Sequence, residues 1–442
     1  MDFNSLNQQL SKLLANFDLN QKYGGGSLVI FYQGQVVTTL AHGIAKLDRT
    51  TGDTTPWTID TLSLNFSTGK GVLVTLIHRL VSEGILAYDR PISEYWQAFA
   101  QNGKQAISLR DILTHEAGLF DITAVTEHAK DMLDWQTMLT NIEQMQVYQP
   151  SSNPQTDNTN DNVNVNQNAT TDDGFVAYSA LVSGWVLGGL IEKVTQLPLQ
   201  KALEQYLLEP LGLVGQAYFG VPADKVAQVA EQIREKDTHA KPVLTTDTAE
   251  TMAFYQTLGF YQDWQRLAKT DNALTTQAIN GLYFRPTQVD PNDYKSALVP
   301  AGSRQFNYYH PTSLQAKIPA ANGVATSMAL ATIYAMLAND GQWQGKSLIK
   351  AEIFAELSQI HNQQFDKIMP AVMQWRLGYH RVFSLFADTT HAFGHMGYNG
   401  SMAWCDPSRE LAVAYVHNYD VTMLNDVRQF ILNETVLACR YC

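Results

Sequence analysis

The sequence predicts an α+β fold: an antiparallel sheet flanked by helices, joined to a largely helical lobe. Three observations carry this expectation. Strand-like alternation occurs near the start of the chain in SLVIFYQGQVVTTLAHGIA (27–45). It returns near the end in SMAWCDP (401–407) and LAVAYVHN (411–418). The stretches between them are mainly of helical period, so the two ends must meet in one sheet. The expected division is a sheet domain of residues 1–62 and 320–442 around a lobe of 63–319, with insertions at 151–174 and 219–318.

Taken in order, MDFNSLNQQLSKLLANF places Phe3, Leu6, Leu10, Leu13, Leu14 and Phe17 on one helical face. This segment lacks the basic start and unbroken apolar run of a signal peptide, and no stretch is apolar enough for a membrane span, so a cytoplasmic location is expected. Residues 27–45 read as two strands turning at Gln33–Gly34. The stretch LNFSTGKGVLVTLIHRLVSEG (64–84) is a helix with Val72, Leu76, Leu80 and Val81 on or near one face and Gly84 as its stop. SLRDILTHEAGL (108–119) gives a short helix. The Asn/Asp/Thr/Gln tract at 151–174 has almost nothing to bury and reads as a mobile surface loop.

Helical periodicity resumes at 175–195, opened by Tyr178–Ser179–Ala180. In 219–318 the scattered aromatics Phe254, Tyr255, Phe260, Tyr261 and Trp264 fit either a cap over a pocket or additional core, with core favoured. VATSMALATIYAMLANDG (324–341) is a helix opened by Thr326 or Ser327 and closed by Gly341. WRLGYHRVF (375–383) alternates like a strand, and residues 425–440 form a closing helix. No internal repeat is present.

A chain of 442 residues is too long for one small core, so two domains or one large domain with insertions is expected. The formal net charge of −12 argues against nucleic-acid binding, because phosphate contacts need clustered cations. Cys405, Cys439 and Cys442 make no disulfide framework, and the terminal CxxC supplies too few ligands for zinc.

Several short motif matches fail. Ser347–Lys350 is a second SxxK in a helix-cap setting, so the bare pattern arises by chance. Gly341 is one residue too near Gly345–Lys346–Ser347 for a P-loop. His115–Glu116 lacks the second histidine of a zinc-protease helix, because position 119 is leucine. His391 and His395 are four apart, but Gly394 and Gly397 argue against a helix that would pair them. No GxSxG elbow occurs.

Ser67 is different. A serine at a helix start lies beside unpaired backbone N–H groups and the positive end of the dipole, which favour a developing oxyanion. Lys70, three residues on, projects from the same face, and if it is buried its amine can act as a base. On its own the pair also reads as a helix cap followed by a surface lysine.

Two further segments alter that balance, Tyr178–Ser179–Ala180 and Gly394–His–Met–Gly–Tyr–Asn–Gly400. With STGK, YSA and HMG in this order, the chain resembles the class C β-lactamases and the DD-peptidases, D-aminopeptidases and esterases that share their fold. Flanking segments across most of 60–120, 175–215 and 320–418 are similar too, while 219–318 is only faintly so. The resemblance implies a β-lactamase/transpeptidase-like fold and a serine hydrolase working through an acyl-enzyme, with no metal and no cofactor. It implies Ser67 as nucleophile, with Lys70 and Tyr178 sharing the general-base and general-acid work and either of them open as the first to take the proton. A phenol beside one or two cations is expected to hold a lowered pKa. The oxyanion would be held by the backbone N–H groups of Ser67 and Tyr398, with Gly397 giving the strand edge close approach to substrate.

Two departures bear on the substrate. Ala180 stands where an asparagine amide would hold an acyl-amide group. His395 stands where a lysine would meet a carboxylate, and a histidine offers only a partial charge near neutral pH. Both changes weaken binding of β-lactams and D-peptides, so the expected substrate is a small-molecule ester. The expected partner is thus a small ester or amide, with neither nucleic acid nor membrane, and the oligomeric state is left open. A β-lactamase or D-amino-acid peptidase is the alternative within enzymes, and an inactive ligand-binding scaffold is the alternative outside them.

Overall fold

The computed structural model describes residues 3–17, 23–148, 175–233 and 247–438. The 151–174 tract, Cys439 and Cys442 therefore lie outside the described residues.

Twelve strands are present among the described residues: β1 (Gly25–Tyr32), β2 (Gln35–Leu47), β3 (Thr54–Pro56), β4 (Ser63–Phe66), β5 (Ala217–Tyr218), β6 (Gly323–Ala325), β7 (Gln342–Trp343), β8 (Lys346–Ser347), β9 (His380–Arg381), β10 (Phe393–Met396), β11 (Met402–Asp406) and β12 (Leu411–His417). Seven of them form one sheet in the order β3-β2-β1-β12-β11-β10-β9, antiparallel throughout. The first and last strands of the chain thus meet, with Ile30 opposite Val413. The β1–β2 turn works because Gln33 and Gly34 both take positive φ, 49° and 69°, whose twist suits a two-residue hairpin.

Side-chain alternation on the central strands feeds two cores. Leu28 and Ile30, with Leu411, Val413 and Tyr415, face one apolar cluster. Val29 and Phe31, with Ala412, Ala414 and Val416, face another. Both faces are buried, so each strand reads as a nearly continuous apolar run. The small alanines face helix Ser327–Ala338, which is buried almost all round and capped by the Thr326 hydroxyl accepting the Ala329 N–H. On the opposite face lie the amphipathic helix Phe3–Leu14, the closing helix Arg428–Leu437, and the aromatics of 219–318. Tyr255, Phe260, Tyr261 and Trp264 are buried there, so those rings are core. Trp264 Nε1 donates to the Tyr283 hydroxyl at 3.0 Å, which satisfies the indole inside that core.

Two sequence expectations need correction. The helix expected from 178 begins at Val182, and Tyr178–Ala180 run ahead of it without helical structure. Their backbone N–H groups have other partners: the Tyr178 N–H goes to Asp366 and the Ser179 N–H to His115. The strand expected over 375–383 is reduced to His380–Arg381. There Gly378 takes φ 83°, and buried Arg376 spends its guanidinium on the carbonyls of Ser358, Gln374 and Thr390, so the segment alternates in burial without pairing as a strand. Ser347 lies in the β7–β8 hairpin and Lys350 heads a separate helix, both exposed.

Candidate active site

Strand β4 leads into the helix Thr68–Ser82 through a tight turn. Phe66 takes φ 49°, a left-handed conformation that is costly for an aromatic residue. Its ring is held in place by Tyr308 and Tyr398, with centroids at 5.6 and 5.9 Å. Ser67 is the N-cap residue, yet its side chain caps nothing. Its hydroxyl instead meets Lys70 Nζ at 2.9 Å.

Lys70 is buried, and Nζ also donates to the carbonyls of Ala180 at 2.7 Å and Ala320 at 2.8 Å. A neutral amine has two hydrogens and one lone pair. The two carbonyls take the hydrogens, which leaves the lone pair for the Ser67 proton. Burial pushes the Lys70 pKa well below the usual lysine range, in agreement with that arrangement. Ala320 comes this close because Gly184 on the neighbouring helix has no side chain; a Cβ there would lie 2.4 Å from the Ala320 nitrogen.

Tyr178 is buried beside the pair. Lys70 Nζ stands 5.0 Å from its ring centroid. Burial pushes the phenol upward, a hydrogen bond with the Ser67 side chain opposes this, and the Asp366 charge adds to the upward push. The lowered phenol expected from nearby cations is therefore not found: desolvation dominates, and the adjacent Lys70 is itself pushed toward its neutral form. Sequence reasoning missed what frames Tyr178. Trp375 stacks on it at 5.4 Å, and His115 meets it edge-on at 5.1 Å. Asp366 Oδ1 accepts the N–H groups of Tyr178, Ile368 and Met369 at 3.1, 2.8 and 2.9 Å, while Oδ2 accepts the Trp375 indole at 2.9 Å. His115 and Asp366 are recognisable only through tertiary contacts, since no local motif marks them.

Strand β10 brings His395 to the same place. A Cβ on Gly397 would lie 2.4 Å from the Asn65 carbonyl oxygen, so only glycine allows the strand end to pack against the Ser67 turn. Thr68 Oγ1 clasps the Ser401 carbonyl at 2.8 Å, closing the β10–β11 turn over the helix start. Among the described residues the backbone N–H groups of Ser67 and Tyr398 have no protein acceptor. Tyr398 is anchored instead through its carbonyl, which accepts the Met423 N–H at 2.6 Å.

His395 is buried and burial, reinforced by His380 and Lys70, pushes its pKa well below the usual value. The partial charge expected at this position is therefore absent near neutral pH. With Nδ1 donating to the Met396 carbonyl at 3.0 Å, Nε2 is left as an unpaired acceptor. His380 is likewise neutral, its Nε2 accepting the Met396 N–H at 2.9 Å and its pKa lowered by burial to about 4. Ala180 contributes only its carbonyl, to Lys70.

These residues open onto a narrow cleft. Beyond Ser67, Tyr178 and the histidines its walls are Leu298, Met369, Met373, Trp375, Met396 and Met423, with Tyr398 at the exposed rim. No Asp, Glu, Lys or Arg is among the described residues lining it. No group of three or more His, Cys, Asp or Glu suited to a metal ion occurs among the described residues.

A strand-to-helix turn bearing Ser-x-x-Lys, a buried tyrosine over the lysine and an antiparallel strand edge beside both define a penicillin-recognising type of serine hydrolase site. The comparisons agree: a β-lactamase family profile matches residues 6–435, and the chain belongs to that family. It is 31% identical over 399 residues to the esterase/β-lactamase LipL of Mycobacterium tuberculosis (strain ATCC 25618 / H37Rv), covering 90% of this chain and 78% of that one. Among solved structures it is similar to a penicillin-binding protein homologue from Caulobacter crescentus, with TM-score 0.68, 25% identity and 99% and 98% of the two chains covered. A family VIII carboxylesterase shares the fold with TM-score 0.68, 22% identity and the same coverage of 99% and 98%. No helix among the described residues is long and apolar enough to cross a membrane.

Proposed function

We propose that this β-lactamase-family hydrolase is a carboxylesterase for small uncharged esters. The observation that carries this reading is the uncharged, methionine-rich lining of the cleft, with a neutral histidine at the strand position that would otherwise meet a carboxylate. A β-lactam or a C-terminal D-peptide would enter with its carboxylate unpaired, a large desolvation penalty. An ester brings no such charge.

Lys70 takes the Ser67 proton as Ser67 Oγ attacks the ester carbonyl. The oxyanion accepts the N–H groups of Ser67 and Tyr398. As the tetrahedral adduct collapses, the C–O bond to the alcohol breaks, and the proton passes from Lys70 through the Tyr178 hydroxyl to the departing alkoxide. Water then attacks the acyl-Ser67 ester and passes a proton through Tyr178 to Lys70; as the second adduct collapses, the acyl C–O bond to Ser67 breaks, Lys70 returns the proton to Ser67 Oγ, and the acid leaves. The raised phenol pKa suits Tyr178 to relaying a proton while remaining neutral, so the base in this reading is Lys70.

The test is a comparison of kcat/KM for p-nitrophenyl butyrate, a chromogenic cephalosporin and a D-phenylalanine anilide, each against a Ser67→Ala control. Ester turnover should exceed the others by about a hundredfold or more, the size of effect expected when a buried carboxylate is left unpaired. Cephalosporin turnover equal to ester turnover would favour the β-lactamase reading, which the double name of the mycobacterial relative keeps in view.

A further inference from the structure

A second cleft, of about 220 Å³, lies outside the Ser67 site and shares a wall with it. The shared wall is the 369–373 segment. Met369 and Met373 line the Ser67 cleft, whereas Pro370, Ala371 and Val372 line this one. The segment is held at both ends by residues of the second cleft: the Arg285 N–H donates to the Pro370 carbonyl at 2.7 Å and the Arg381 N–H to the Met373 carbonyl at 2.9 Å.

Two arginines, Arg285 and Arg381, line this space, in a chain whose net charge is −12. Neither forms an ion pair among the described residues. Arg381 Nε is fully buried and has no hydrogen-bond acceptor. An unpaired buried donor on a cation is costly, so a site that leaves one open is suited to an anion. Glu434 is the acid beside the cleft wall, and its oxygens are already taken by the Tyr283 hydroxyl, the Leu385 N–H and the Ser384 hydroxyl, each at 2.7 Å. Arg381 lies over the Phe383 ring at 5.5 Å, and Tyr283 and Phe365 complete an apolar wall. Burial lowers the Arg381 pKa, as expected of a guanidinium with no carboxylate near it.

We propose that this cleft is a second ligand site, separate from Ser67, that takes a small organic carboxylate with an apolar or aromatic body. The guanidinium forks of Arg285 and Arg381 would hold the carboxylate, and Tyr283, Phe365 and Phe383 would cover the body. The inference does not depend on the esterase reading.

The experiment is calorimetric titration of benzoate into the full chain, alongside benzamide, inorganic phosphate and the variants R285Q, R381Q and S67A. Saturable benzoate binding is expected, weakened about tenfold or more in R285Q and in R381Q, as for loss of one charge-assisted contact, and unchanged in S67A. Benzamide should bind correspondingly more weakly, because it lacks the charge. Arg285 is exposed, so R285Q leaves the core untouched and keeps the test valid if R381Q fails to fold. Absence of saturable binding, or equal affinity in wild type and both arginine variants, would overturn the site. Phosphate binding tighter than benzoate with the same arginine dependence would overturn the apolar-body assignment.

Discussion

Lys70 Nζ stands 2.9 Å from Ser67 Oγ, and its other two partners are both carbonyl oxygens, those of Ala180 and Ala320. No carboxylate among the described residues pairs with it, and burial has removed the water that would stabilise its charged form. The first prediction follows from that environment. Lys70→Ala should lower kcat by about a thousandfold or more while leaving the thermal unfolding transition recognisable, and Lys70→Arg should not restore it, because a guanidinium stays protonated. The pH profile of kcat/KM should show an acid limb: the neutral amine is required, and it is lost as pH falls through the lowered pKa of Lys70. Wild-type-like turnover in Lys70→Ala would remove this residue from the chemistry.

Gly397→Ala probes the oxyanion arrangement. The new methyl group would lie 2.4 Å from the Asn65 carbonyl, so the turn bearing the Tyr398 N–H must shift away from Ser67. The expected result is a fall in kcat of about a hundredfold with KM little changed, the pattern of an interaction made in the transition state. Equal loss in KM and none in kcat would place Gly397 in ground-state binding instead.

Asp366→Asn separates positioning from charge. The amide oxygen can still accept the Tyr178, Ile368 and Met369 N–H groups, but its NH₂ then faces the Trp375 indole N–H, leaving a buried donor unpaired at a cost of about 1–3 kcal/mol. Denaturant unfolding should report that loss. Because Asp366 also holds the Tyr178 N–H and the Trp375 ring stacked on Tyr178, kcat should fall with KM little changed. A purely structural role would alter stability and leave kcat of the folded variant in place.

Acid stability reports the buried histidines. Burial lowers His42 and His380 to about 4 and His78 and His115 to about 3. Below about pH 6.5 the unfolded chain binds protons that the folded chain refuses, so each histidine removes about 1.4 kcal/mol of stability per pH unit. Their contribution is complete above about 6.5 and is lost as pH falls toward the folded values. Tm measured by circular dichroism should be flat above about pH 7 and fall steeply toward about pH 5. A Tm constant over that range would mean these rings are not buried neutral.

The parts of the site that were legible in sequence are those set by local spacing. Ser67 and Lys70 are three apart on a helix, and that geometry follows from the chain alone. Tyr178 and His395 were found only because their motifs follow in order, and their surroundings were not legible. His115, Asp366, Trp375 and His380 reach Tyr178 and His395 from distant positions, and tertiary packing alone joins them. The charge of His395 is hidden in the sequence for a related reason: its type suggests titration near neutral pH, but burial decides. Alternation misled at 375–383, where an irregular segment is buried through side chains such as Trp375 and Arg376 without strand pairing. The sheet was easier to read, because alternation on β1 and β12 serves two faces that are both covered.

The whole reaction depends on Ser67 as a working nucleophile. Intact-mass labelling of wild type and Ser67→Ala with a fluorophosphonate probe, followed by peptide mapping, tests it most directly. One adduct per chain is expected, mapped to Ser67 and absent from the variant. A folded wild-type protein that takes no adduct, or takes it elsewhere and equally in Ser67→Ala, would contradict it.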